Sequence, residues 1–215
     1  GYYRADVFEP GEWVPTYPNP AFEKCTDRDG YWGAKIVMSF SDEDLKAIVE
    51  TARITNPAAE AHLLDVLKKR RDKIGRYWFD KVNPLDRFSV TKGSFAPTAA
   101  GGSSPPKDRA MLQFDDLSVV GNLEPAEARA YTHRMYLDGA PLGPARTTAD
   151  SQLPLAVDGT ALGAVLDGRG VTAPDERVVR IDLRTRQSGT VSDPVRVYVH
   201  VPSSAPPRVV GLERL

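Results

Sequence analysis

The sequence predicts an α+β protein, a small helical part with an extended arm followed by an antiparallel β-sandwich. Three observations carry this. Apolar residues recur at helical spacing up to Phe79 and at alternate positions from Met111 onward. All three tryptophans fall in the first part, whereas glycine, valine and arginine enrich the second. Between them, residues 91–110 (TKGSFAPTAAGGSSPPKDRA) show no periodicity. The expected division is an arm plus three-helix domain over 1–90, a linker or long loop over 91–110, and a sandwich over 111–215.

Residues 1–28 place Pro10, Pro15, Pro18 and Pro20 among Tyr2, Tyr3, Phe8, Trp13, Tyr17 and Phe22. The prolines exclude a long helix or a central strand. The aromatics argue against a disordered tail, so the segment reads as an arm packed over helices. The alternative is a docking peptide around Pro15-Thr16-Tyr17-Pro18, although a clean PxxP is lacking.

The first helix is expected over Asp29–Phe40, with Trp32, Ile36, Val37 and Phe40 on its apolar face. Gly33 and Ala34 would allow close approach. Ser41 and Asp44 have capping-box spacing for a second helix with Leu45, Ile48, Val49 and Ala52 inward. The third and longest runs over Asn56–Phe79. Asn56 is its N-cap, Pro57 suits the first turn, and Leu63, Leu64, Leu67, Ile74 and Trp78 form a stripe. Gly75 inside this helix suggests a close crossing. Asn83-Pro84 stops it.

From Met111 the period becomes two. Leu112 and Phe114 alternate, then Leu117 and Val119 in the opposite phase, which suggests a bulge at Asp115-Asp116. Tyr131–Leu137, Arg177–Arg186, Val195–Val201 and Arg208–Glu213 read as strands, with Gly189 in a turn. Leu153–Val157 reads as a short edge strand limited by Pro154. This strand density implies a sandwich resembling immunoglobulin or fibronectin type III modules. No Cys…Trp…Cys signature is present, so the likeness is architectural.

Composition bounds function by exclusion. The 215 residues are 41% hydrophobic and 27% charged, with formal net charge −1. No apolar run is long enough to span a membrane, and a near-neutral chain lacks the basic field that nucleic-acid binding uses. Cys25 is the only cysteine, so neither an internal disulfide nor a cysteine-based zinc cluster is expected. This leaves the compartment open, and export is compatible with it. Gly1 is not followed by a signal peptide, which fits a processed product or a fragment of a longer protein.

Few groups suggest chemistry. The run Lys68-Lys69-Arg70-Arg71-Asp72-Lys73, with Arg76, puts Lys69, Lys73 and Arg76 on one helix face, a candidate anion site. The plainer reading is a solvated helix face. Asp27/Asp29, Asp42–Asp44 and Asp115/Asp116 lack metal-ligand spacing. His62, His133 and His200 lie in different elements, and no GxSxG elbow supplies a nucleophile. Gly168-Arg169-Gly170 reads as a turn, not a dinucleotide loop. Outward Arg180, Arg184 and Arg196 with Tyr136 and Tyr198 form a candidate binding face on the sheet. Catalytic residues, metal and cofactor are all expected to be absent.

Four blocks carry a family resemblance: Tyr17–Phe22 (YPNPAF), Tyr31–Val37 (YWGAKIV), Lys69–Trp78 (KRRDKIGRYW) and Arg208–Arg214 (RVVGLER). They resemble the C-terminal region of an uncharacterised bacterial protein family whose longer members carry an upstream kinase-like region. The resemblance implies a bacterial, soluble protein and a partner in the upstream region or in another protein. It implies no activity here, since the glycine-rich loop, HRD and DFG are missing. The leading expectation is a non-catalytic accessory or interaction region. The rivals are an enzyme acting on phosphorylated groups with a site between the two halves, and a carbohydrate-binding sandwich.

Overall fold

In the computed structural model, residues 3–93, 109–187 and 190–215 are described. The chain is α+β, helical in its N-terminal part and β-rich in its C-terminal part. It divides into two compact units: Gly1–Pro84 with Leu117–Glu124, and Leu85–Asp116 with Pro125–Leu215. Most of the 91–110 stretch, together with Gly189, lies outside the described residues.

The helical unit holds α1 (Pro20–Glu23), α2 (Asp27–Met38), α3 (Asp42–Thr51) and α4 (Pro57–Lys81). Each start has a local cause. The Asn19 side chain accepts from the Ala21 N–H. Thr26 and Ser41 form capping boxes with Asp29 and Asp44, and Asn56 accepts from Ala58 and Ala59. Such caps satisfy N–H groups that the first turn leaves unpaired. Because Thr26 is the cap, α2 starts at Asp27 instead of the expected Asp29. Against the extent expected from sequence, α4 runs two residues further, and its 25 residues span roughly 37 Å.

The core of this unit contains Tyr31, Ala34, Phe79, Val82, Leu117 and Leu123. The expected apolar face of α2 is therefore a correction. Tyr31 and Ala34 point inward and Met38 is half-buried, while Trp32, Ile36 and Phe40 are exposed. The helix is rotated to put Tyr31 against Phe79, ring centroids 5.7 Å apart. Glycine sets the α2–α4 approach. A Cβ on Gly30 would sit 2.4 Å from the Trp78 ring, and one on Gly75 2.6 Å from Met38 Sδ. Gly33, expected to serve that purpose, faces open space.

A second correction concerns Leu117 and Val119. The strand ends at Asp116, and Leu117–Val120 form a short helix, α5. Leu117 and Leu123 are buried in the helical core, so tertiary packing overrides the alternation.

The β unit begins with β1 (Leu85–Gly93) and β2 (Arg109–Asp116), an antiparallel pair. Residues 91–93 and 109–110 are thus strand, where a linker was expected. The unit continues with β3 (Arg129–Leu137), β4 (Ala140–Pro141), β5 (Arg146–Thr148), β6 (Gln152–Pro154), β7 (Ala156–Val157) and β8 (Thr160–Ala161). Then follow α6 (Leu162–Gly168), β9 (Val178–Gln187), β10 (Thr190–Val191), β11 (Val195–His200) and β12 (Arg208–Arg214).

One sheet has the order β1-β2-β6, with β6 at its edge as Pro154 suggested. The larger sheet runs β12-β11-β9-β3-β4, with β5 and β10 attached. Asp138-Gly139 and Asp158-Gly159, all at positive φ, turn the β3–β4 and β7–β8 hairpins. Inward side chains of both sheets, among them Leu112, Phe114, Ile181 and Val197, share one core.

Candidate functional sites

The basic run of α4 is already engaged. Arg70 donates to the Arg4 carbonyl from Nε and Nη2, at 3.1 and 2.7 Å. Its guanidinium lies over Tyr3 at 4.1 Å and Phe8 at 4.8 Å. Lys73 Nζ donates to the Phe8 carbonyl at 2.8 Å and to Glu9 at 2.9 Å. His62 Nε2 lies 3.1 Å from the Tyr3 carbonyl. These residues clamp residues 3–9 onto the helix. Further along the chain, Pro15 is half-buried and Tyr17 is exposed.

Lys69, Lys73 and Arg76 line one cavity of about 550 Å³ between arm and α4. Acid offsets the base there. Lys69 pairs with Asp65 at 2.8 Å, Arg4 pairs with Asp6, and Asp72, which pairs with Arg71, also lines the wall. On the flank of α4, Lys68 and Arg71 both reach Asp42, at 2.8 and 2.9 Å. The Lys68 hydrogen bond holds the Asp42 carboxyl below its ordinary pKa. Of the cavity's basic side chains, Arg76 stands exposed without an ion pair among the described residues.

The outer face of the larger sheet brings its candidates together. Tyr136, Arg180 and Tyr198 occupy one cross-strand row, and Arg134, Asp182 and Arg196 the next. Arg180 stacks on the Tyr136 ring at 4.3 Å and pairs with Asp182 at 2.9 Å. Arg196 and the Tyr198 hydroxyl both donate to Glu213 at 3.1 Å. Burial and that carboxylate raise the Tyr198 pKa. Arg184 turns aside to the Ser192 carbonyl at 2.9 Å. The face is a mutually paired polar lattice in which Arg180 already covers one tyrosine.

The three histidines do not converge. His200 Nε2 meets the Pro174 carbonyl at 2.9 Å. His133 is buried on the inner face of β3, and its Nδ1 has no hydrogen-bond partner among the described residues. Among the described residues, no three His, Cys, Asp or Glu side chains gather as a metal site would need.

Two buried arginines escaped the sequence reading. Arg177 donates to Val201 and Val171 carbonyls and to Asp167, all within 2.7 Å. Arg129 forms a buried pair with Asp116 at 2.7 Å, and Tyr131 donates to the same carboxylate at 3.2 Å. Arg129 opens β3 and Arg177 immediately precedes β9, and a charge at a strand's start gives no sequence sign that it is internal. The Trp32–Ile36–Phe40 stripe is legible in the sequence as an apolar face, but its exposure is not, nor that the helix ends at Met38. Trp32 is 66%, Ile36 45% and Phe40 41% exposed, four residues apart and away from the Tyr31–Ala34 side. On α3, Ile48 is 49% exposed. No helix among the described residues is long and apolar enough to cross a membrane.

Comparison with protein-family models, curated proteins and solved structures found no match.

Proposed function

We propose that this chain is a non-catalytic interaction region whose helical unit docks, through Trp32 and Ile36 of α2 and Phe40 just past its end, onto residues encoded upstream in the same gene. The exposed stripe is the observation that carries the reading. Two large apolar side chains in line on α2, with Phe40 just beyond its C-terminal end, leave area that association would remove from water. Aromatic anchors of this kind dominate interface energies. The resemblance of the Tyr17–Phe22, Tyr31–Val37 and Lys69–Trp78 blocks to the end of a longer bacterial family is what suggests the occupant.

Further support comes from the polar groups. In the basic run Arg70 and Lys73 donate to the arm, Lys68 and Arg71 pair with Asp42 and Lys69 with Asp65, while on the sheet face Arg180 pairs with Asp182, Arg196 with Glu213, and Arg184 donates to Ser192. Neither arrangement leaves a converging set of acid, base and nucleophile. The immunoglobulin or fibronectin III likeness extends to two antiparallel layers over one core. The long strands β3, β9, β11 and β12 pair in chain order, unlike Greek-key sandwiches. A bacterial, soluble setting, compatible with export, belongs to the same proposal.

The test is calorimetric titration of this chain with the separately expressed upstream region. Wild type binds, and Trp32→Arg/Ile36→Glu weakens binding at least thirtyfold, the loss of one strong anchor. Unchanged affinity, or no binding by wild type, overturns the reading. Self-association of the chain alone that the same double substitution abolishes also overturns it, by giving the stripe to a second copy.

A further inference from the structure

A second cavity, of about 600 Å³, lies between the arm and the opposite flank of α2, within the size range of small-molecule sites. Its floor is made of small side chains, Gly30, Gly33 and Ala34. Its walls are aromatic: Phe8, Trp13 and Phe22 from the arm side and Trp78 from α4. Trp13 and Phe22 meet edge to face at 5.2 Å, a favoured geometry for an aromatic pair. Gly33 keeps the floor open, since a Cβ there would meet nothing within 4 Å.

The charges lining this cavity are of one sign. Among the described residues, Glu23 and Asp29 are its ionised residues and no lysine or arginine lines it. Asp29 is held as a carboxylate by the Thr26 hydroxyl and N–H at 2.7 and 2.9 Å. Glu23 has no ion pair or side-chain hydrogen bond among the described residues, and it sits next to Phe22 in sequence. The cavity on α4 differs, with four basic residues on its lining against three acidic ones.

Aromatic faces carry negative quadrupoles, and with a nearby carboxylate they select a poorly hydrated organic cation. The geometry points to a binding site for an organic ammonium ion with an apolar or aromatic body, its cationic head toward Glu23 and its body between Trp13, Phe22 and Trp78. An anion would face two carboxylates, and a strongly hydrated metal ion would gain little from the rings. This site is independent of the α2 docking stripe. Gly30 and Ala34 lie on the side of the helix away from Trp32 and Ile36 at 3.6 residues per turn, with Gly33 between the two sides.

The experiment uses the full chain with Trp32→Phe, so that emission comes from Trp13 and Trp78. Benzyltrimethylammonium is titrated at constant ionic strength against 3-phenylpropionate, its anionic counterpart. The expected result is a saturable emission change with the cation at a midpoint at least tenfold below that of the anion. Glu23→Gln raises the midpoint several-fold. Gly33→Leu, whose Cβ meets nothing within 4 Å and whose longer side chain extends over the floor, abolishes the change while far-ultraviolet circular dichroism stays that of wild type. The Trp32→Arg/Ile36→Glu chain, read by shifts of the Gly30–Val37 amide resonances, still binds the cation. The proposal is overturned by equal midpoints for cation and anion, by no saturable change, or by a Gly33→Leu chain that binds as wild type does.

Discussion

Replacing Arg177 by methionine tests whether one buried guanidinium holds the end of β11 against the α6 segment. Arg177 is 1% exposed. Its Nε donates to the Val201 carbonyl at 2.6 Å, and Nη1 to Val171 at 2.7 Å. Methionine keeps most of the stem and removes every donor. Val201 is buried and Val171 half-buried. Each carbonyl left without a partner costs about 1–3 kcal/mol, so the pair predicts a loss of about 4 kcal/mol. Asp167 contributes little, because its side chain is 65% exposed and water screens the charge. In a β unit of this size the loss lowers the melting temperature by roughly 15 °C. Urea unfolding followed by circular dichroism measures it, and hydrogen exchange over residues 177–201 localises it. Arg177→Lys loses about half as much, since one ammonium replaces only part of the fork. Asp167→Asn stays within about 1 kcal/mol of wild type. An Arg177→Met chain within that same margin refutes the reasoning.

Two more predictions follow from packing and titration. Burial, and secondarily the Arg146 charge, lower the His133 pKa, so the unfolded chain binds the proton more readily than the fold does. Arg134, Arg146 and Asp158 line the small cavity beside it. The stability this histidine lends is therefore present above about pH 6.5 and is lost as pH falls below that value. His133→Leu flattens the difference in urea midpoint between pH 7.5 and 5.5, and an unchanged difference removes His133 as its source. On α2, Gly30→Ala destabilises by about 1–3 kcal/mol, because the new Cβ meets the rigid Trp78 ring. Gly33→Ala stabilises by up to about 1 kcal/mol through helix propensity alone. Tryptophan-detected urea unfolding reads both, and equal effects of the two substitutions contradict the α2–α4 packing described.

Local sequence cues specified the elements whose causes are local. The caps at Ser41 and Asn56, the stop near Asn83-Pro84 and the alternation through Val179–Leu183 and Val195–Val201 each involve neighbours in the chain, and all are present. The turn glycines of Asp138-Gly139 and Asp158-Gly159 were readable signals that went unused. What depended on distant partners was not readable. β1 exists because β2 pairs with it across a long connection. Leu117 turns helical because its burial lies with Leu123 and Phe79.

The same division holds for the candidate sites. Charge clusters at Lys69–Lys73 and alternation at Arg180–Arg196 located polar faces, because spacing alone decides which side chains share a face. Whether those charges were free was decided by residues far off in sequence: Tyr3 to Glu9 for the helix, Glu213 and Ser192 for the sheet. On α2, apolar residues surround the helix, so its pattern allows several rotations about the axis. Contact with α4 selects one of them, leaving Trp32 outward and a glycine floor beneath the arm's aromatic rings. Periodicity follows from backbone geometry and is carried by each segment alone. The choice of which face is covered is a property of the packed chain, since only there do the competing faces meet their partners.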